Sequence, residues 1–151
     1  MTSQRPWALL ALLAVAFHST PARADEAAAR TAAESIATRM FSELQKPDAD
    51  RAADAIALEF QLDATGRKRF QAKLRTLIKG AGRLETWALQ GLTGLPGGDR
   101  YWRAVIVSYH ERRPVGWVLS LYRTATGEWT VLDLSFESDD VPGFVARHLP
   151  G

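Results

Sequence analysis

The fold is decided by residues 101–136, which read YWRAVIVSYHERRPVGWVLSLYRTATGEWTVLDLSF. Apolar and aromatic residues alternate with polar ones over three runs in this stretch. The runs are residues 101–111, 116–123 and 128–136. A period of two predicts β-strands, and the short polar connections at 112–115 and 124–127 predict tight turns. The stretch therefore predicts an antiparallel meander of three strands.

Helical spacing dominates the chain before the meander. Apolar residues recur three and four positions apart, which predicts three helices, the first over residues 27–45. The second should begin at a cap, Asp48 or Asp50, and end at about Leu62, with Phe60 on its apolar face. The third should begin at a cap, Asp63 or Thr65, and end at the glycines Gly80 and Gly82. The period changes to two after Gly82.

Beyond Gly82 we predict a first strand over residues 83–90 and a glycine-rich loop over 91–100. One helical turn over 142–148 closes the chain. Helices followed by sequential strands with tight turns predict an α+β domain, in which N-terminal helices pack on an antiparallel sheet of about four strands.

The N-terminal residues have the pattern of a signal peptide. Arg5 precedes the apolar run 7–17, and Ala22-Arg23-Ala24 has the small residues of a cleavage site. The run is shorter than the roughly 20 residues that span a bilayer. We therefore predict a signal peptide over residues 1–24, a single domain over 25–151 that begins at Asp25, and a periplasmic or secreted protein.

Composition limits the function classes. The chain has 19 Lys and Arg against 17 Asp and Glu, and the predicted signal peptide holds two of those arginines without an acid. The remaining chain is balanced in charge, which argues against a nucleic-acid partner. No cysteine is present, so disulfides and thiolate chemistry are excluded. Two histidines, His110 and His148, follow the signal peptide and do not predict a metal site.

If Glu111 pairs with Gly116 and Arg123 with Glu128, the side chains of the meander divide between the two faces of the sheet. The first is leucine-rich, should receive the helices and carries Trp102, Ala104, Ile106, Ser108, His110, Trp117, Leu119, Leu121, Thr130, Leu132, Leu134 and Phe136. The second carries Arg103, Val105, Val107, Tyr109, Val118, Ser120, Tyr122, Trp129, Val131 and Asp133. A buried aromatic removes about 150–250 Å² from water. We therefore expect a second copy, a partner, or the chain's own first helix or C-terminal tail to cover the second face.

A family resemblance rests on the strand that begins Gly127-Glu128-Trp129-Thr130-Val131 and ends Asp133-Leu134-Ser135-Phe136, and on Gly116-Trp117 and Leu121-Tyr122-Arg123 in the strand before it. With helices ahead of them, these segments resemble the NTF2-like (cystatin-like) superfamily, in particular its small exported members of unknown function. The resemblance implies a curved sheet. The superfamily contains enzymes and non-enzymes, so it implies no single function.

Two residues are candidates for catalysis. His110 shares a predicted face with Ser108 and lies near Trp117, so it could act as a general base in a pocket between sheet and helices. The favoured alternative is a structural histidine at a strand end. Asp133 could take a proton if burial raised its pKa, or it could be a surface or interface carboxylate. The assumed register places His110 and Asp133 on opposite faces.

Charged segments have structural and functional interpretations. Basic residues crowd the third helix over 67–79, which could contact an anionic membrane surface, although a solvated helix face is favoured. Glu137, Asp139 and Asp140 are predicted to form a solvated acidic turn, because their spacing does not match a calcium loop. No metal or cofactor is predicted.

The leading interpretation is an exported, non-catalytic domain that binds a small apolar ligand or a protein partner. Its candidate ligand or interface residues are Tyr109, Tyr122, Trp129 and Trp117. One alternative is a proton-transfer enzyme of the isomerase or dehydratase type. Another is a structural or assembly protein that acts through the second face, for example as a homodimer through the sheet.

Overall fold

A computed structural model describes residues 21–58, 64–96 and 99–149. Three helices come first, four strands follow, and one short helix closes the described chain. The elements are α1 Pro21–Leu44, α2 Ala49–Leu58, α3 Ala64–Ala81, β1 Leu84–Gly94, β2 Tyr101–His110, β3 Pro114–Arg123, β4 Trp129–Glu137 and α4 Val141–His148. The strands form one antiparallel sheet in the order β1-β2-β3-β4. The predicted α+β class is confirmed.

Capping residues define the start of α2 and the end of α3 at positions predicted from the sequence. The Asp48 carboxylate accepts hydrogen bonds from the backbone N–H groups of Asp50 and Arg51 at 3.0 Å, and so begins α2. Gly82 has φ +85°, a left-handed conformation that glycine adopts without strain, and its N–H donates to the Ile78 carbonyl. The predicted end of the second helix, with Phe60, and the Asp63 cap lie outside the described residues.

Strand β1 is longer than predicted. It continues to Gly94, and Gly91 pairs with Val105 inside the region predicted as a loop. Pairing with β2 overrides the weak strand preference of glycine, because alternate residues of β1 form hydrogen bonds with β2 in the antiparallel ladder. Register shifts between Leu84 and Thr86 and between Leu89 and Gly91 mark bulges, which bend a sheet.

The β2–β3 register differs from the assumed one by four residues. Tyr109 pairs with Pro114 and Val107 with Gly116, so the turn lies earlier in the chain than predicted. Because side chains alternate with a period of two, a shift of four leaves each residue on its predicted face. We call the side of the sheet that packs against α1 the inner face and the opposite side the outer face. Ile106, Trp117 and Leu119 are buried on the inner face, as predicted.

Strand β4 corrects the predicted faces. Leu121 pairs with Val131 and Ser120 with Asp133, so Leu132 forms a bulge that has no partner on β3. The bulge shifts the residues before it by one position. As a result Val131 is buried in the core and Trp129 packs against it, although both were predicted on the second face. Leu132, predicted in the core, is 56% exposed.

Two apolar clusters stabilise the fold on opposite sides of the sheet. The main core lies between the inner face and the helices, where Phe41 of α1 stacks on Trp87 and meets Trp117 edge-on. The second cluster lies on the outer face, where Phe144 of α4 packs on Val105 and Val118. At Gly116 a Cβ would lie 2.7 Å from Phe144 Cδ1, so this close approach requires glycine.

Candidate functional site

A chain of hydrogen bonds connects the polar groups buried on the inner face. The Trp117 indole N–H donates to Ser108 Oγ at 2.7 Å, and Ser108 Oγ lies 2.9 Å from His110 Nε2. His110 Nδ1 lies 3.0 Å from the Gly82 carbonyl oxygen. Because a carbonyl can only accept, Nδ1 carries the proton and Nε2 accepts from the serine hydroxyl. Both ring nitrogens of His110 are therefore engaged.

The surroundings of His110 favour its neutral form. Burial lowers the pKa of His110 below 6.5, and the Gly82 hydrogen bond and the Glu85 charge offset only part of that effect. A neutral imidazole between a hydroxyl donor and a carbonyl acceptor needs no other partner. The Gly82 carbonyl follows α3, so the network also fixes the end of that helix against β2. These hydrogen bonds hold the His110 ring between Ser108 and the Gly82 carbonyl.

A separate cleft of about 520 Å³ lies between α3 and β4. Helix α3 contributes Gly66, Arg69, Phe70 and Lys73, which follow the spacing i, i+3, i+4, i+7 of one helix face. Strand β4 contributes the seven consecutive residues 130–136. This volume lies within the range of about 300–1,000 Å³ that is usual for ligand pockets.

The cleft combines apolar walls with cations. The rings of Phe70 and Phe136 meet edge-on with centroids 6.1 Å apart. Arg69 and Lys73 are exposed, and within the described residues neither forms an ion pair or a side-chain hydrogen bond. Asp133 is the one carboxylate of the lining. Two cations and one acid next to apolar surface favour an anionic group on a ligand.

The two predicted catalytic residues do not come together. His110 is buried on the inner face, whereas Asp133 is exposed, pairs with Ser120 and lines the cleft between α3 and β4. The predicted separation of these residues on opposite faces is observed. No acid–base pair is formed from them.

The aromatic residues predicted for ligand or interface contacts are dispersed. Tyr122 contacts the Tyr101 ring at 4.9 Å on the outer face, and Tyr109 is 43% exposed near the end of β2. Trp117 is fully buried in the network and Trp129 packs on the core. Helix α4 covers the middle of the outer face, so the predicted cover comes in part from the chain's own C-terminal segment.

The basic residues of α3 do not all face the same way. Arg75 faces α2 and contacts the carboxylates of Asp50 and Asp54 at 3.0 and 3.1 Å, while Gln71 also donates to Asp54. Arg69 and Lys73 instead face the cleft. The sequence assigned Phe70 to the core and the cations to a solvated face. The available signals for a site were the spacing of Arg69, Phe70 and Lys73 and the absence of acids between Gly66 and Leu84.

The part of the chain that the structure describes shows neither a metal centre nor a membrane-spanning helix. It holds no group of three or more His, Cys, Asp or Glu side chains placed to bind a metal ion. None of its helices is long and apolar enough to cross a membrane. At the C-terminal side of the sheet, the Asp140 carboxylate accepts from the Gly143 N–H and caps α4, so the acidic turn has a structural role.

Comparisons with known proteins give fold neighbours only. The sequence matches no family model and no curated protein. Among solved structures, the chain is similar to an NTF-2 like protein of unknown function from Silicibacter pomeroyi DSS-3, with a TM-score of 0.47 and 12% identity over 74% of this chain and 97% of that chain. A protein from Catenulispora acidiphila has a TM-score of 0.47 and 14% identity over 80% of this chain and 96% of that chain. The α+β class rests on the chain's own helices and sheet.

Proposed function

We propose that the protein is an exported, non-catalytic binding domain whose ligand occupies the cleft between α3 and β4. The observation that carries this proposal is the cleft itself, which has about 520 Å³ of space beside both apolar and cationic side chains. Sites for small ligands commonly combine an apolar lining with a few polar groups that fix orientation. The ligand expected here has an apolar body and an acidic group.

The placement of the titratable residues supports a binding role. A proton-transfer enzyme of the type predicted as an alternative needs an acid and a base within reach of one substrate. His110 has both nitrogens engaged in the core and does not line the cleft, whereas Asp133 is exposed in it. The outer face, which an assembly protein would use, is partly occupied by α4.

Dodecanoate is a suitable probe, because it combines an alkyl chain with a carboxylate. A ligand that binds only the folded state raises the free energy of unfolding, and we expect dodecanoate to raise the melting temperature in proportion to the logarithm of its concentration. Phe70→Ala should reduce this shift, since it removes one aromatic wall of the cleft. Thermal unfolding and isothermal calorimetry measure the shift and the affinity.

Tyr109→Ala is the matched control, because Tyr109 is an exposed aromatic of the outer face that does not line the cleft. It should leave dodecanoate binding unchanged. Equal loss of binding in both variants, or loss in Tyr109→Ala alone, would move the site to the outer face and overturn the proposal. Absence of any binding to the wild-type protein would also overturn it.

A further inference from the structure

The cleft runs along the free edge of the sheet and does not lie over one of its faces. A pocket over one face of a strand would be lined by alternate residues, because successive side chains point to opposite sides. This cleft is lined by every residue from 130 to 136. Its long wall is therefore the edge of β4, including the backbone.

That edge has unused hydrogen-bonding capacity. In the sheet of the described residues β4 is the last strand, and β3 is its one partner. The backbone N–H and C=O groups of alternate residues on an edge strand point away from the sheet and can pair with another extended chain. The bulge at Leu132 interrupts the regular ladder, so the regular part of β4 is limited to residues 133–137. An added strand would therefore be short.

Side chains on α3 set the chemistry of such a strand. In an added strand, side chains at positions i and i+2 would face α3 about 6.6–6.8 Å apart. An apolar side chain can contact the ring of Phe70, and a carboxylate can reach Arg69 or Lys73, which lie one helical turn apart. The cleft thus fits a peptide that presents acidic and apolar residues on one side.

A second copy of the protein fits this edge poorly. Two β4 strands that paired edge to edge would bring two α3 helices together. The cations Arg69 and Lys73 of each copy would then face those of the other, which is unfavourable without counter-charges. An acidic peptide supplies the missing charge.

We propose that the α3–β4 cleft binds an extended acidic peptide segment, which adds to β4 as a fifth strand and presents a carboxylate to Arg69 and Lys73. This inference rests on the proposed function, because it names the ligand class of the same cleft. Main-chain hydrogen bonds would supply affinity, and the α3 side chains would supply the preference for acidic and apolar residues.

The probe is a fluorescein-labelled hexapeptide, Thr-Glu-Thr-Phe-Thr-Glu, whose glutamates and phenylalanine share one side of an extended chain. Fluorescence anisotropy measures its binding to the full protein, with Thr-Lys-Thr-Phe-Thr-Lys as the charge-reversed control. We expect the acidic peptide to bind at least about tenfold more tightly than its control. Equal binding of the two peptides, or no binding of either, would overturn the peptide proposal.

Backbone methylation tests strand addition directly. Alternate N–H groups of a strand point to opposite edges, so two versions of the acidic peptide are N-methylated at alternate positions. The version methylated at the groups that face β4 should lose binding, whereas the other should retain it. Retention of binding by both versions would show that side chains alone hold the peptide and would overturn the fifth-strand proposal.

Charge reversal on α3 tests the recognition of the acidic group. The double variant Arg69→Glu and Lys73→Glu should weaken binding of the acidic peptide at least about tenfold and strengthen binding of the lysine peptide. Lys68→Glu is the matched control, because Lys68 is an exposed cation of the same helix outside the cleft lining, and it should change binding by less than about twofold. Equal losses in the two variants would overturn the assignment to the cleft.

Two further results separate this inference from the proposed function. If dodecanoate binds the cleft and neither peptide does, the ligand site stands and the peptide class is wrong. If sedimentation shows the protein to be a dimer that the neutralising double variant Arg69→Ser and Lys73→Ser strengthens, a second copy occupies the edge and the peptide proposal is overturned.

Discussion

The network around His110 and the cleft between α3 and β4 differ in whether their polar side chains have partners within the described residues. In the network every polar atom of Trp117, Ser108 and His110 has a partner within the chain. In the cleft, Arg69 and Lys73 lie beside apolar surface with no ion pair among the described residues. Buried polar groups are normally satisfied, so the network indicates structure. The two cations of the cleft are available to the ligand that we propose for it.

Trp117→Ala should give the largest effect, because it removes a fully buried side chain that ends the network and fills the main core. Large-to-small substitutions of buried aromatics lower the free energy of unfolding by about 3–5 kcal/mol. Urea denaturation followed by circular dichroism measures the loss. Trp129→Ala is the matched control, since Trp129 is half-buried at the edge of the same core, and it should cost clearly less. Equal losses would contradict the central position of Trp117.

The network should also make stability depend on pH. Burial lowers the pKa of His110 below the 6.5 of an unfolded chain, so the unfolded state binds more protons as pH falls below 6.5. The free energy of unfolding is therefore highest above pH 6.5 and decreases between pH 6.5 and the lower pKa of the folded state. Urea denaturation at closely spaced pH values between about 8 and 5 follows this decrease, which should begin as the pH falls below about 6.5.

His148 acts in the same direction, because burial and the neighbouring Arg103 and Arg147 lower its pKa as well. NMR titration of the two imidazole rings separates them, and His148→Gln should retain the part of the pH dependence that is due to His110. A pKa of His110 at or above 6.5, measured in the folded wild-type protein, would contradict the buried neutral network.

The sequence was sufficient to predict the network's face, although not its register. The β2–β3 pairing differs from the assumed one by four residues, and an even shift leaves Ile106, Ser108 and Trp117 on the inner face. Hydrophobic alternation therefore identified the core side correctly. The partner of His110 Nδ1 is the Gly82 carbonyl, 28 positions away, and a contact of this kind depends on how α3 ends against β2.

Strand β4 could not be predicted as well, because it carries apolar residues on both sides of its bulge. Trp129, Val131, Leu132 and Leu134 fit either alternation, so the sequence gives no sign that the pattern shifts at Leu132.

The cleft was missed for a related reason. The spacing of Arg69, Phe70 and Lys73 is visible in the sequence, but the path of β4 beside that helix face is a tertiary property.

The smallest effect on stability should come from the cleft cations. The double substitution Arg69→Ser and Lys73→Ser removes charges that have no ion pair within the described residues, so the free energy of unfolding should change by no more than about 0.5 kcal/mol. Arg75→Ser is the matched control on the same helix, because Arg75 contacts Asp50 and Asp54, and it should cost about 0.2–1 kcal/mol. Urea denaturation at low salt measures both variants. A larger loss in the double variant than in Arg75→Ser would mean that the cleft cations stabilise the fold, and the contrast between a satisfied core and an open binding cleft would then be wrong.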